Sequence, residues 1–343
     1  MDLMLSADQE AIRDAIRDVL RDRFDATRLR AVLEREDRFD APLWQTGAAL
    51  GWFGLALPQE RGGAGYGVAE AMLLFVEVGR ALLTGPWLGT VIAAHALAEA
   101  GAEAELAEVI AGRRRVALVD DGTGLTGGDA LHGEVAQVLD AGVAGAALVL
   151  GPDGGVAYVP FGDEVRVDSG YCIDPTRRVA TLRFTGAPAR RLRVDGVRLC
   201  AMATVFAAAE ASGIADRTQD MSVAYGKVRE QFGRPIGSFQ AIKHRCADMA
   251  VRAEVARSAV TYASVAIEEG VEEAGLQVHV AKALATDAAI VNATDNVQNH
   301  GGMGYTWEAD AHLYLKRARL LEHVLGTRTA HLDAIAAPWR ASA

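Results

Sequence analysis

Apolar residues recur at helical spacing over most of the chain. Residues 6–9 fit a capping box, and Ile12, Ile16 and Leu20 follow in steps of four. Steps of three and four place side chains on one face of an α-helix. A similar apolar stripe covers residues 242–267 and is typical of a helical bundle. The pattern therefore predicts helices in both terminal regions.

Between these regions the period changes to that of β-structure. Short apolar runs at residues 116–119, 146–150, 156–159 and 179–184 are separated by Gly, Pro and Asp. Because no long helical pattern interrupts them, they predict a small antiparallel sheet or barrel rather than a βαβ nucleotide-binding fold. We therefore expect a mainly α protein with a small β domain. The expected parts are an N-terminal helical domain (1–112), a middle β domain (113–195) and a C-terminal four-helix bundle (196–343).

Composition and charge exclude some classes of partner. The 343 residues carry a formal net charge of −10, which argues against nucleic acid or an anionic membrane. The three cysteines have no paired spacing, and the first residues do not resemble a secretion signal. No apolar stretch has membrane-spanning length without a charge or a glycine. A cytoplasmic protein in a reducing compartment is the expectation.

A polar connector at residues 229–240 lies between two alanine-rich helical segments. Its glycines permit turns, and Arg229, Gln231 and Gln240 offer donors suited to a phosphate or an adenine edge. The alternative is a simple corner between helices. Since functional groups concentrate in connectors, we favour a binding role.

A second polar connector covers residues 295–308. Its adjacent Gly301 and Gly302 would let backbone N–H groups approach a ligand without obstruction, and Gln298 could contact an adenine or ribose. On this chemistry alone, a ligand site and an ordinary helix-ending loop are equally good interpretations. The sequence has no nucleophile elbow, paired-His motif or acidic pair with metal-ligand spacing.

Both connectors resemble signature motifs of the flavin-dependent acyl-CoA dehydrogenase family. The matching residues are Arg229-x-x-Phe232-Gly233-Arg234-Pro235-Ile236-Gly237-Ser238-Phe239-Gln240 and Gln298-x-x-Gly301-Gly302-Met303-Gly304-Tyr305. The segment Leu57-Pro58-x-Glu60-x-Gly62-Gly63-x-Gly65 is similar to an N-terminal loop of the family. The order of helical, β and helical regions also matches, so the resemblance covers essentially the full chain.

This resemblance implies FAD as cofactor, an acyl-CoA substrate and an oligomer in which FAD lies across a subunit boundary. The two motifs reach the diphosphate and adenosine end of a neighbour's FAD in the family, and a further threonine lies near the flavin ring. The cofactor-binding residues implied by position are Arg229, Gln231, Phe232, Gln240, Gln298, Gly301, Gly302 and Thr327. An electron acceptor such as electron-transfer flavoprotein is implied as well.

The chain departs from the family at the catalytic base. The family removes the α-proton with a glutamate at the position of Leu325 or, alternatively, of Ala203, and neither of these side chains accepts a proton. The family's Thr-Glu-Pro-x-x-Gly-Ser-Asp loop, which covers the flavin, is also absent from the sequence. We therefore assign no catalytic residue. The pattern resembles the non-catalytic subunit of heteromeric α2β2 actinobacterial acyl-CoA dehydrogenases, which often act on steroid-derived CoA thioesters.

Two other hypotheses stay open. A self-sufficient homo-oligomeric dehydrogenase would need a displaced base, and Glu308 and Glu322 are the nearest candidates. Glu322 is also placed to pair with Arg319 on a helix. A flavin-free regulatory or scaffolding protein is the third hypothesis, and it predicts no flavin absorbance in any complex that contains the chain.

Overall fold

The structure is a computed structural model that describes residues 4–341. Its helices are α1 Ala7–Arg23, α2 Ala26–Leu33, α3 Ala41–Ala49, α4 Val68–Ala81, α5 Trp87–Glu99, α6 Glu103–Ile110, α7 Gly196–Val228, α8 Gln240–Glu269, α9 Ala274–His300, α10 Ala311–Leu321 and α11 Arg328–Ala341. Its strands are β1 Val116–Val119, β2 Leu125–Thr126, β3 Ala130–Leu139, β4 Ala146–Leu150, β5 Val156–Pro160, β6 Val165–Gly170, β7 Val179–Pro188, β8 Arg190–Leu192, β9 Glu230–Gln231 and β10 Arg234–Pro235. The mainly α fold with a small β region is thereby confirmed.

The described chain divides into two compact units, each assembled from separate segments. The bundle unit contains residues 4–18, 72–82 and 204–341. The mixed unit contains residues 19–71 and 83–203. Helices α1, α4 and α7 each contribute residues to both units.

In the bundle unit, α4 and α7 cross at glycines. A Cβ atom on Gly79 would lie 1.9 Å from a carbonyl oxygen of α7, and one on Gly213 would lie 2.0 Å from a carbonyl oxygen of α4. Since no Cβ atom fits at such distances, both positions need glycine for the helices to approach. One turn before Gly79, the buried ring of Phe75 stacks on Phe206 with centroids 4.7 Å apart. Backbone and aromatic rings therefore fill the space between these helices.

An aromatic cluster forms the helical core of the mixed unit. Trp44, Phe53 and Trp87 are buried, with ring centroids 4.4, 4.7 and 5.3 Å apart. Trp44 donates its indole N–H to the Gly112 carbonyl oxygen (3.0 Å), which satisfies the one polar atom of the ring. Helix α5 packs closely on β1, since a Cβ atom on Gly89 would lie 2.3 Å from a carbonyl oxygen of that strand.

Two four-stranded sheets form the β part of the mixed unit. Their strand orders are β1-β4-β5-β8 and β2-β3-β7-β6. All pairs in the second sheet are antiparallel, as the sequence predicts. The pair β1 and β4 is parallel, with Val116 opposite Ala146, and so departs from the antiparallel arrangement that the sequence predicts. The intervening β2 and β3 supply the long connection that a parallel pair needs.

At the helix ends, one prediction is confirmed and one helix was missed. The predicted capping box is confirmed, because the Ser6 hydroxyl accepts from the Gln9 N–H (3.2 Å) and the Gln9 side chain accepts from the Ser6 N–H (3.0 Å). Beyond α10, Gly326 turns the chain with a φ of 100°, and α11 then begins. The sequence pattern did not predict α11, which contains Pro338.

One helix among residues 4–341 is long and apolar enough to cross a membrane by length and composition alone. This helix is α7, and 78% of its most apolar 18-residue window is buried inside the protein. Such burial is typical of a core helix, in agreement with the packing of α7 against α4.

Candidate functional site

The first polar connector folds into a β-hairpin directly after α7. Strands β9 and β10 pair antiparallel, and Phe232 and Gly233 form the two-residue turn with φ values of 55° and 75°. Such turns need positive φ twice, which suits glycine and asparagine but strains a bulky residue. The Phe232 side chain is nevertheless 91% exposed. A residue with a strained backbone and an exposed ring adds little to the stability of its own chain. It therefore indicates a contact with another molecule.

Close contacts hold the base of the hairpin. The Ile236 N–H donates to the Arg229 carbonyl oxygen (2.8 Å), and the Arg234 guanidinium lies 4.2 Å from the Phe239 ring centroid. Gly237 packs on α7, since its Cβ would lie 2.8 Å from a carbonyl oxygen of that helix. The predicted contact residues here are all exposed: Arg229, Gln231, Phe232 and Gln240. The hairpin therefore presents these side chains from a fixed base.

The second connector begins where α9 ends. Gly301 has φ 61° and ψ −141°, a combination that suits glycine. A Cβ atom on Gly301 or Gly302 would meet nothing within 4 Å, so the backbone at both positions faces open space. Gly304 differs, because its Cβ would lie 2.5 Å from the Val297 carbonyl oxygen. The exposed Gln298 stands one turn before the glycine pair. This segment can approach a ligand through its backbone.

Contacts between α7 and α9 bring the two connectors to the same end of the bundle unit. The Tyr225 ring, in the last turn of α7, stacks on His300 at the end of α9 with centroids 4.2 Å apart. The Ser222 hydroxyl donates to Asn296 Oδ1 (2.9 Å), and His300 Nδ1–H donates to the Asn296 carbonyl oxygen (2.8 Å). The hairpin and the glycine pair therefore start from neighbouring helix ends.

Asparagines of α9 fix this end by connecting three helices. The buried Asn292 donates to one carbonyl oxygen in α7 (3.0 Å) and one in α8 (2.9 Å). It accepts from Arg252 (2.8 Å), and Asn299 accepts from Arg245 (2.9 Å). Buried polar groups with all their partners specify a single packing. Sequence-based reasoning missed these positioning residues, although asparagines at 292, 296 and 299 lie on one helix face.

Large apolar side chains are exposed on both connectors. Phe232 lies on the first, and Met303, Tyr305 and Trp307 lie on the second, with Tyr305 76% and Trp307 60% exposed. The Lys316 ammonium lies 4.8 Å from the Trp307 ring centroid. Exposed rings on both connectors favour contact with another molecule.

Thr327 lies apart from the other seven predicted contact residues. Its hydroxyl accepts from the Ala330 N–H (3.2 Å) at the start of α11. The next turn carries His331, which contacts His279 of α9. His279 precedes Gln298 by 19 residues (298 − 279), which corresponds to roughly 28 Å along a helix. The structure therefore places seven predicted residues at one end of α9 and Thr327 towards the other.

Both expected base positions are buried and apolar. Leu325 is 9% exposed and Ala203 is fully buried. Glu322 pairs with Arg319 (3.2 Å), and Glu308 is exposed. Among the residues that the structure describes, no group of three or more His, Cys, Asp or Glu side chains could hold a metal ion. The arrangement offers contacts to a ligand but no proton acceptor at either expected position.

Comparison with protein families and curated proteins gives a consistent result. The acyl-CoA dehydrogenase N-terminal domain matches residues 6–112, and the acyl-CoA dehydrogenase C-terminal domain matches residues 201–338. The acyl-CoA dehydrogenase IpdE2 of Mycolicibacterium smegmatis is 33% identical over 327 residues, which cover 94% of this chain and 96% of IpdE2. The acyl-CoA dehydrogenase FadE34 of Mycobacterium tuberculosis is 39% identical over 297 residues, covering 83% of this chain and 40% of FadE34. The chain thus spans about two fifths of the length of FadE34.

Two solved structures, each named after a pair of proteins, share this fold. A variant of the Tcur3481-Tcur3483 steroid ACAD has a TM-score of 0.90 and 29% identity, with 98% of this chain and 99% of that chain covered. The ChsE4-ChsE5 complex from Mycobacterium tuberculosis has a TM-score of 0.90 and 27% identity, with 99% of both chains covered.

Proposed function

Because the chain belongs to the acyl-CoA dehydrogenase family, we propose that it is the base-less subunit of a heteromeric, FAD-dependent acyl-CoA dehydrogenase. Its role is to supply FAD contacts to a partner subunit, which carries the glutamate that removes the α-proton of an acyl-CoA thioester. Bound FAD supplies a hydride acceptor. The observation that carries the proposal is the exposure of the motif residues in a chain whose expected base positions hold Leu325 and Ala203.

The exposed donors fit the diphosphate and adenosine part of FAD. Arg229 provides a guanidinium suited to phosphate oxygens, and the unobstructed backbone of Gly301 and Gly302 can come close to a ligand. Gln231 and Gln298 are exposed amides that can recognise an adenine or ribose. These groups point away from the chain's own core, so they suit a cofactor that lies against a second subunit.

The exposed apolar side chains support a protein partner beside this cofactor. Phe232, Tyr305 and Trp307 expose large rings at the same end of the bundle unit as the donors. Aromatic residues of this kind are enriched where protein surfaces associate. Their burial by a partner would offset the strain in the hairpin turn.

The two similar structures of paired chains support a heteromeric assembly. We propose an α2β2 complex and, by analogy with the steroid ACAD, a steroid-derived CoA thioester as its substrate class. Transfer of electrons to electron-transfer flavoprotein and a cytoplasmic location stay predictions from the sequence.

Co-purification tests this function. The chain is expressed alone, and also together with a family member that is encoded beside it and carries glutamate at the position of Leu325. We expect little visible flavin absorbance from the chain alone, and a yellow complex that oxidises acyl-CoA after co-expression. Arg229→Gln should reduce the FAD content of the complex, whereas Arg21→Gln, a change at an exposed arginine of α1, should not. A yellow homomer that oxidises acyl-CoA would overturn the proposal, and a complex without flavin would favour the scaffolding role.

A further inference from the structure

Two histidines contact each other directly beneath the turn that joins α10 to α11. His279 Nδ1 of α9 lies 2.8 Å from His331 Nδ1 of α11, and His331 Nε2 lies 3.0 Å from the Leu325 carbonyl oxygen. His331 is buried and His279 is partly buried. The turn above them contains Leu325 and Gly326, both with positive φ (58° and 100°). The pair thus contacts a turn in which Leu325, a residue other than glycine, adopts a strained positive φ.

The Leu325 carbonyl oxygen is the last acceptor in this series of hydrogen bonds, and it fixes the direction of each one. A carbonyl oxygen only accepts, so His331 must carry its proton on Nε2. In neutral His331, Nδ1 is then an acceptor, and the bridging proton belongs to His279 Nδ1. The hydrogen bonds therefore lead from His279 through His331 to the Leu325 carbonyl oxygen.

The surroundings keep His331 neutral. Burial, together with the positive charge of Lys282, lowers the pKa of His331 to about 4. Burial also lowers the pKa of His279. Lys282 is itself buried and donates to the Leu321 carbonyl oxygen (2.6 Å) at the end of α10. Lys282 of α9 thus binds the Leu321 carbonyl oxygen, and His331 of α11 binds the Leu325 carbonyl oxygen. The segment between these two carbonyl groups leads to Thr327.

We propose that His279 and His331 are positioning residues that hold the Leu325–Gly326–Thr327 turn through this directed hydrogen-bond chain. The same arrangement favours glycine at position 326, because a Cβ atom there would lie 3.0 Å from His331 Nε2. Thr327 follows immediately and directly precedes α11, so the orientation of its hydroxyl, which accepts from the Ala330 N–H, depends on the turn. The role of Thr327 as a cofactor contact rests on the proposed function, whereas the hydrogen-bond chain does not.

Hydrogen exchange of the purified complex tests the role without requiring flavin. His331→Leu removes the donor to Leu325, and exchange over residues 322–330 should become on the order of tenfold faster. His331→Gln keeps a side-chain N–H near the position of Nε2 and should restore most of the protection. His279→Asn keeps a donor near the position of Nδ1 and should resemble the parent protein, whereas His279→Leu should not. Residues 250–265 of α8 serve as the control segment.

The histidine tautomers provide a second test. If the two rings only filled space, no particular ring nitrogen would have to carry the proton. Nitrogen NMR should show the proton of His331 on Nε2 and that of His279 on Nδ1. The reverse tautomers would overturn the proposal, as would equal exchange rates in the parent, His331→Leu and His331→Gln proteins. If the turn opens in His331→Leu but the FAD content is unchanged, the positioning role stands and the assignment of Thr327 to the cofactor fails. If His331→Leu does not fold, the His279 variants and the tautomers decide.

Discussion

Phe232 affects the stability of its own chain and the stability of the complex in opposite directions, which makes Phe232→Asn a sharp test. The residue occupies the first turn position of the β9–β10 hairpin with a φ of 55°. Asparagine adopts this conformation more readily than phenylalanine and is common in such turns. The substitution should therefore leave the hairpin intact while it removes the exposed ring.

The two effects can be estimated separately. Relief of backbone strain at one residue is worth about 1 kcal/mol. The ring has an edge-on contact with Phe239, at a centroid distance of 6.0 Å, and its loss costs about 0.5 kcal/mol. The isolated chain should thus gain up to about 0.5 kcal/mol. In the complex, the loss of a buried phenylalanine costs about 1.5–3 kcal/mol, or roughly 10- to 150-fold in affinity.

The assay compares urea unfolding of the chain with FAD content and partner affinity of the complex. Gly233→Ala is the matched control, because nothing lies within 4 Å of its Cβ and only the φ of 75° is strained. This control should destabilise the chain by about 1 kcal/mol. A Phe232→Asn complex with unchanged affinity and FAD content would refute the contact. A chain that loses more than about 2 kcal/mol would show that the ring stabilises its own fold.

Four further predictions follow from the packing and the charges. Gly302→Ala should lower the FAD content of the complex without changing thermal unfolding, because its Cβ meets only open space; flavin absorbance and a melting curve check this. Gly213→Ala should destabilise the bundle unit by several kcal/mol, on the order of an overpacked core, since its Cβ would lie 2.0 Å from a carbonyl oxygen of α4; urea unfolding measures the loss. Arg317→Ala should cost about 3–5 kcal/mol because it removes the buried guanidinium that pairs with the Glu210 carboxylate (2.5 Å), and Glu210→Gln in the same chain should recover part of that loss. Burial lowers the pKa of His331 from the ordinary value of about 6.5 to about 4 in the folded state, so the folded state binds fewer protons between these values and the free energy of unfolding should fall as the pH drops from 6.5 to 4; urea titrations at several pH values should show a smaller slope in His331→Gln.

Helices and strands could be predicted where the signal is local. The steps of three and four residues predicted the packing face of α8, and the capping box at residues 6–9 is present as expected. Pairing of β1 with β4 could not be predicted in this way, because it joins segments about 30 residues apart and depends on the strands between them. Helix α11 was missed because Gly326 and Pro338 both interrupt a helical pattern.

The candidate site could be predicted in composition but not in geometry. The motif residues were found from the two connectors, yet their shared location depends on Tyr225, His300 and the asparagines of α9. Such residues resemble ordinary helix positions in a sequence, since only the fold brings their partners within hydrogen-bond distance. The separation of Thr327 from the other seven residues was also invisible, because it follows from the length of α9 and the side of it that α11 contacts.

The two ends of α9 suggest how this chain differs from a complete dehydrogenase subunit. At one end, a strained Phe232, an open glycine pair and exposed donors are available to contact another molecule. At the other end, Leu325 is buried where a carboxylate would require solvation or a partner, and His331 binds its carbonyl oxygen. The exposed ring and strained backbone of Phe232 at the first end are unfavourable for the isolated chain. They are explained if another molecule covers this end. Apolar burial at the second end stabilises the fold without providing a base. Both features follow if the cofactor contacts serve a partner subunit that performs the proton abstraction.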